Sequence, residues 1–477
     1  MNSKIVFSNM IWRFMERIGA KGIAFIVSVI LARKLSPDDY GTIAIVAVII
    51  QILEVFIDSG FGAALIQKQE VDDIDYSSVF YFNILSCTIL YFFVFFSAPF
   101  IAKLYNDFRL IAIIRVLCLQ FIISGVKNVQ QSYVTKNFLF KKFFFSTLGG
   151  TILSGVIGII MAYNGLGVWS LVCQMISNYA IDTLILWFTV DWKPKRTFSF
   201  TRLKEMFSFS GRYLGSLLIA RITDELNKPI IGLKYSKSDL AFYERGYSLA
   251  SIITENINNA MSTVLFPTVS SVQDNKERVK SIITRYLTVS TYIIMPMMMG
   301  LAVCGERLIK LIFTEKWLPC VPFLYVFCIM YAIYPISIAN INVIVSLGVK
   351  KLFIRFQLIR SVITIVILII TIQFGVIYIA IGTLIVAIIS IIVYSWPTKS
   401  LINYSLRNQI IDILPNIFLT IIMGTFIYPI GKLNLPDIII ISLQVIFGII
   451  IYLLGSRFLK LSSFNYLMTL LFHRNKN

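Results

Sequence analysis

Residues 376–396 read V-I-Y-I-A-I-G-T-L-I-V-A-I-I-S-I-I-V-Y-S-W, a run with no charged residue and no proline. Wound as an α-helix at ~1.5 Å per residue it is roughly 31 Å long, the depth of a bilayer's hydrocarbon core. Comparable apolar runs fill the chain on either side of it. They cover residues 8–35, 40–66, 77–102, 110–133, 143–163, 166–190, 207–233, 240–267, 282–304, 319–347, 352–374, 410–430 and 437–454. With the first run these make fourteen spans and predict an all-α polytopic membrane protein. Composition agrees: 57% of residues are hydrophobic, 14% are charged, and the mean hydropathy is +0.81. A soluble domain carries about 25% charge. A soluble multidomain enzyme, a disulfide scaffold and a disordered chain are all excluded.

The formal net charge is +19. In a soluble protein that excess points to nucleic acid; here it sits between apolar runs, where it acts as the topogenic signal, and no nucleic-acid partner is expected. With the N-terminus placed in the cytosol, alternate connections hold 23 Lys and Arg on the inner side and 10 on the outer. Both termini are therefore expected inside. The six cysteines show no C-x-x-C and no zinc spacing, and the single histidine, His473, lies in the basic tail. Metal binding and a cofactor are not expected, and the cysteines read as small buried hydrophobes.

The chain echoes itself. Lys34, Ser36 and Asp39 recur as Lys234, Ser236 and Asp239, and Gly167–Val168 recurs as Gly375–Val376, at offsets of about 200 residues. An offset of six spans, an even number, gives parallel repeats with the axis along the membrane normal. The expected organisation is an N-terminal six-helix lobe over 1–190, a basic cytosolic linker over 191–206, and a second six-helix lobe over 207–400. Residues 401–477 then supply two further helices and a basic cytosolic tail.

Several stretches resemble one family. They include residues 32–41 (A-R-K-L-S-P-D-D-Y-G), 58–67 (D-S-G-F-G-A-A-L-I-Q), 98–107 (A-P-F-I-A-K-L-Y-N-D) and 165–171 (G-L-G-V-W-S-L). Residues 191–200 (D-W-K-P-K-R-T-F-S-F), 242–249 (F-Y-E-R-G-Y-S-L), 264–274 (V-L-F-P-T-V-S-S-V-Q-D) and 315–322 (E-K-W-L-P-C-V-P) continue the series. The chain is thereby similar to the lipopolysaccharide/teichuronic-acid exporters of the multidrug/oligosaccharidyl-lipid/polysaccharide (MOP) flippase superfamily. That resemblance implies two lobes forming a V and alternating between inward and outward openings in a bacterial cytoplasmic membrane. It implies as cargo a polyprenyl-pyrophosphate-linked oligosaccharide, driven by an ion gradient or the membrane potential, with a polysaccharide polymerase working alongside. One departure stands out: the family pattern has Asp five residues before Gly232, and this chain has Asn227.

An ionisable side chain at the bilayer centre costs roughly 2.5–3.5 kcal/mol on insertion scales, so those retained within spans carry the chemical information. Arg13, Arg17 and Lys21 stack at i, i+4 and i+8 as one cationic stripe on the first span. Such a stripe can replace the water that a lipid pyrophosphate loses, Arg offering a fork for phosphate oxygens. The alternative is snorkelling to inner headgroups, with Glu16 neutralising Arg13. Glu54 and Asp58 stack at i, i+4 on the second span, either holding a proton or sodium ion for coupling or forming salt bridges to the first span. On the seventh span Arg221, Asp224, Glu225 and Lys228 fall on one face, as an internal ion-pair network or as substrate contacts. Arg245 on the eighth span is a further cationic candidate. Residues 73–75 spell D-I-D, the D-x-D of glycosyltransferases, but in a short loop with no α/β domain a solvated acidic loop is the expected reading. No phosphate loop for ATP is present. These features favour a secondary transporter over a glycosyltransferase or polymerase. A cation-coupled multidrug exporter is the alternative, and the cationic stripe opposes its cationic cargo.

Overall fold

The computed structural model describes residues 3–57 and 61–472, all helix, turn or irregular chain with no strand among them. It divides into two compact units, Met1–Ala241 and Phe242–Asn477. The first holds α1 (Ser3–Lys34), α2 (Pro37–Ile57), α3 (Phe61–Gln67), α4 (Asp73–Leu104), α5 (Arg109–Leu117) and α6 (Leu119–Lys136). It continues with α7 (Phe140–Tyr163), α8 (Val168–Thr189), α9 (Phe200–Glu225), α10 (Asn227–Lys234) and the start of α11 (Lys237–Ser270). The second holds the rest of α11, then α12 (Lys276–Phe313), α13 (Val321–Ser346), α14 (Lys350–Thr371) and α15 (Val376–Ile402). It ends with α16 (Leu406–Ile427), α17 (Asp437–Phe458) and α18 (Ser462–Phe472).

Eleven helical passages among the described residues are long and apolar enough to cross a membrane, α5 and α6 together counting as one. Three further helices, α1, α9 and α11, have 32, 26 and 34 residues. They are long enough to cross but too polar for the same measure, α1 and α9 chiefly through charge and α11 through its Asn, Ser and Thr residues. Counted with these, the described residues hold fourteen helical passages long enough to cross, and the polar ones carry Arg13, Arg17, Lys21, Arg221, Asp224, Glu225 and Arg245, while Glu54 lies on the apolar α2. Pro229 accounts for the break between α9 and α10: it has no N–H, and its ring collides with the carbonyl of Glu225 four residues back.

Both sequence echoes are repeated local structures. Ser36 Oγ donates to Asp39 Oδ2 at 2.7 Å, and Asp39 N–H donates back to Ser36 Oγ at 3.2 Å. At the head of α11 the same pair is made by Ser236 and Asp239, at 2.6 and 3.0 Å. Each is a reciprocal cap that satisfies the first free N–H groups of its helix. Gly167 and Gly375 precede α8 and α15 with φ of 51° and 129°, the left-handed region where a side chain would be strained.

Inside the first unit α1 lies on α7, α7 on α8, and α4 on α6, while α9 packs against α2, α3 and α4. Its apolar centre includes Val46 and Ile50 of α2, Val94 of α4, Ile113 of α5 and Phe121 of α6. Gly155 lets α1 approach α7, since a Cβ there would lie 2.5 Å from the Val27 side chain. The stretch after α8 is stitched onto the start of α4: Lys195 N–H donates to Ser77 Oγ at 2.9 Å and Ser199 N–H to Ser78 Oγ at 2.8 Å. The unit therefore extends well past the basic stretch 191–206, through α9 and α10. The repeat boundaries at 190, 207 and 400 are kept as a proposal drawn from the sequence echoes.

In the second unit α12 is the central post, contacting α13, α16, α17 and α18. The two last spans are bound to it by buried polar contacts. Asn416 Nδ2 donates to Thr288 O at 2.9 Å and to Thr291 Oγ1 at 3.0 Å, and Tyr452 OH to Tyr292 O at 2.9 Å. Interhelical bonds of this kind are worth about 1 kcal/mol each in a bilayer. Cys87, Cys118, Cys304, Cys320 and Cys328 are buried and unbridged.

Candidate functional site

The cationic stripe on α1 is divided in two by its surroundings. Arg13 Nη1 lies 2.7 Å from Glu16 Oε2, and the Glu16 residue is only 8% exposed. The Arg13 guanidinium also sits 5.1 Å from the Phe143 ring centroid and 5.7 Å from that of Phe140. Its charge is thus matched where it stands. Arg17 and Lys21, one and two turns further along, are exposed.

Across the unit, α2 faces α9. Arg221 Nη2 donates to Gln51 Oε1 at 2.9 Å, and its Nη1 is 3.4 Å from Glu225 Oε1. Lys228 Nζ is 2.8 Å from the other oxygen of Glu225, and both of these residues are buried. Arg221, Glu225 and Lys228 are thereby brought together as an ion-pair chain that reaches α2 through Gln51; Asp224, on the same helix, is exposed. One turn beyond Gln51, Glu54 Oε1 accepts a hydrogen bond from Tyr179 OH of α8 at 3.4 Å. Asp58 lies outside the described residues. Arg245 belongs to the second unit, where its guanidinium is 4.8 Å from the Phe313 ring centroid and 4.6 Å from that of Trp317.

Two clusters were not legible from spacing. Lys127 of α6 and Asp182 of α8 form an ion pair with side chains 13% and 9% exposed. Breaking a buried pair by removing one partner costs about 3–5 kcal/mol. The second cluster clamps the α10–α11 hairpin onto the rest of the unit. Asp107 is bound by Lys237 and, at 3.0 Å, by Arg109 Nη2, which also lies 3.5 Å from Asp38. Tyr105 OH donates to Pro229 O at 3.1 Å. Gly41 lies directly on the hairpin, for a Cβ there would fall 1.9 Å from the carbonyl oxygen of Lys237. Burial pushes the Asp107 carboxyl up, but the hydrogen bonds from Arg109 and Lys237 outweigh it and hold it at about 2. A depressed carboxyl contributes stability that is full above its ordinary 3.8 and lost as pH falls through about 2. The clamp is therefore fully charged at any physiological pH.

The D-x-D stretch is an anchor for the basic segment that follows α8. Asp72 caps α4 in a reciprocal box with Asp75. Lys195 Nζ is 2.5 Å from Asp73, Arg202 is 2.6 Å from Asp72, and Lys68 is 2.6 Å from Asp75. Hydrogen bonding from the Asp75 backbone N–H and from Arg202 lowers the Asp72 carboxyl below its usual range, against a smaller opposing effect of burial. Among the described residues no group of three His, Cys, Asp or Glu side chains is placed to hold a metal.

Comparison with known proteins now has a site to refer to. Residues 30–322 match the family described as polysaccharide biosynthesis protein. The succinoglycan biosynthesis transport protein ExoT of Rhizobium meliloti (strain 1021) is 26% identical over 364 residues, covering 76% of this chain and 74% of that protein. The teichuronic acid biosynthesis protein TuaB of Bacillus subtilis (strain 168) is 25% identical over 306 residues, 62% of each. Among solved structures, the lipid II flippase MurJ in an inward closed conformation superposes with a TM-score of 0.77 at 17% identity, covering 95% of this chain and 98% of its own. An inward-facing multidrug resistance MATE transporter of the MOP superfamily gives 0.62 at 14% identity, over 79% and 94%. The superpositions describe the fold, and the match over residues 30–322 shows that this multi-pass membrane chain belongs to the family of polysaccharide biosynthesis proteins.

Proposed function

We propose that the protein is a flippase that carries a polyprenyl-pyrophosphate-linked oligosaccharide across the cytoplasmic membrane of a bacterium for surface polysaccharide assembly. The observation that supports this reading is the exposed pair Arg17 and Lys21 on α1, two cations able to meet a pyrophosphate, in a chain of the polysaccharide biosynthesis family. Two of its relatives are named for succinoglycan and teichuronic acid biosynthesis, which supports a glycan-bearing cargo. The same pair speaks against the cationic cargo of a multidrug exporter. No enzymatic step is assigned: the D-x-D carboxylates are engaged by Lys68, Lys195 and Arg202. Arg221 and Arg245 are assigned to the cargo path as secondary contacts. Deleting the protein is expected to make the lipid-linked oligosaccharide accumulate on the cytosolic leaflet. Normal surface polysaccharide with no such build-up would end this reading.

Alternating access is part of this proposal. The Lys/Arg count puts Lys237 outside and Lys195 inside, and release of the clamp on α10–α11 is proposed to accompany the outward step. Single cysteines at 195 and 237 in a cysteine-free background should react with an impermeant maleimide only from inside and only from outside, respectively. Reaction of position 195 in intact cells would invert the assignment.

Glu54, with Asp58 and the α9 carboxylates Asp224 and Glu225, is the proposed coupling group for a proton or sodium ion. Glu54→Gln should leave cargo binding within about twofold while removing the response of transport to an imposed gradient. Full gradient dependence in that variant would take Glu54 out of the mechanism. A polysaccharide polymerase is the expected downstream partner.

A further inference from the structure

An elongated groove of about 810 Å³ runs along the last two turns of α8 and into the segment that follows. Its walls include Phe80 of α4 and Leu184 and Phe188 of α8, and it opens where Leu184 and Phe188 are 54% and 87% exposed, toward the apolar surroundings. An apolar wall on a membrane span is ordinary. The polar groups within it are not. Thr183 is 94% buried by its 6% exposure, lines the groove, and its Oγ1 has no hydrogen-bond partner; the Trp187 Nε1 one turn later is likewise buried and unpartnered. A buried donor left unmatched is costly wherever no water reaches it. These two donors stand one helical turn apart on the same face, the spacing of about 6 Å at which two acceptors on one molecule could meet them.

The mouth supplies a charge. Lys193 lies over the Trp187 ring, 4.7 Å from its centroid, and its ammonium donates to the Trp187 carbonyl. The neighbouring acids are engaged elsewhere: Asp191 with Lys142 at 3.2 Å, Asp73 with Lys195, and Asp72 with Arg202. Among the described residues no carboxylate pairs with Lys193. The lining thus combines the Lys193 ammonium, the Asp191 carboxylate that pairs with Lys142, two hydrogen-bond donors and an apolar trough. A glycerophospholipid has the complementary set of phosphate, ester carbonyls and acyl chain.

We infer that this groove is a specific site for one anionic phospholipid of the leaflet at the Lys193 end. Its phosphate lies against Lys193, its ester carbonyls accept from Trp187 and Thr183, and its acyl chain fills the trough beside Phe80. The bound lipid braces α8 against α4 and the segment after α8. Nothing in this assignment depends on the cargo or on transport.

The test is native mass spectrometry of the purified full chain with equal amounts of phosphatidylglycerol and phosphatidylcholine. One phosphatidylglycerol should be retained in preference to phosphatidylcholine. Lys193→Gln, an exposed substitution, should cut that preference roughly fivefold, the scale of one lysine at an anionic surface. Lys103→Gln, exposed outside the groove, should leave it unchanged. Trp187→Phe combined with Thr183→Val should lower retention of both lipids at unaltered helix content. Equal binding of the two lipids by the parent chain, or the same preference in Lys193→Gln, would overturn the proposal. Displacement of phosphatidylglycerol by an equimolar polyprenyl phosphate would also overturn it, by assigning the groove to an isoprenoid.

Discussion

Arg17→Glu is expected to abolish flipping while leaving the folded yield unchanged. A unit charge about 4 Å from another is worth about 4 kcal/mol at an effective dielectric of ~20, and water around an exposed side chain halves that to ~2 kcal/mol. Reversal removes one attraction and adds one repulsion, so cargo interaction should fall by roughly 10³-fold. Arg17→Lys keeps the charge and loses the fork, and an intermediate loss of about tenfold is expected. Arg13 should behave differently although it lies on the same stripe. Its partner Glu16 is 8% exposed, so Arg13→Ala strands a buried carboxylate and should lower thermal stability. Flipping of a labelled polyprenyl-pyrophosphate oligosaccharide in proteoliposomes, with unfolding followed in parallel, separates the two effects. Normal transport by both Arg17→Glu and Lys21→Ala would reduce these residues to interfacial anchors.

Gly41→Leu should spring the clamp. The position admits no Cβ, because the obstacle is the backbone carbonyl of Lys237 at 1.9 Å and not the end of a flexible side chain. Overpacking of this kind costs about 2 kcal/mol, enough to shift the closed-to-open ratio roughly thirtyfold. Spin labels at positions 103 and 238 should report a longer and broader distance distribution in Gly41→Leu. They should report no change in Gly300→Ala, where the added atom meets nothing within 4 Å. Asp107→Asn should act in the same direction more weakly, since the backbone contact survives. An unchanged distribution in Gly41→Leu would mean that the hairpin is held by something other than this close approach.

Most of the fold was legible because a bilayer imposes one local rule on every segment. Any run of about twenty apolar residues must be helical to satisfy its own backbone, so 376–396 and its counterparts could be found one at a time. The exceptions are instructive: α1, α9 and α11 are visible as spans only if their charges are read as function and not as evidence against membrane burial. Contacts between near neighbours in the chain were legible too. Arg13 with Glu16 and Arg221 with Glu225 follow from three- and four-residue spacing within a helix, and Glu225 with Lys228 follows from the same spacing across the α9–α10 break.

Contacts between helices were not. Asp182 shows no distinguishing pattern in the chain, and Lys127 stands 55 residues from it. Gly41 and Lys237 lie on different hairpins, and only their meeting explains why one of them must be glycine. Likewise Thr183 and Trp187 read as ordinary members of an apolar span until the packing of α4 and α8 leaves their donors buried beside a groove. Helix formation depends on neighbours along the chain, which the residue order displays directly. Which side chains share a dielectric, a partner or an ångström of space depends on how the helices are laid against one another, and that emerges only from their packing.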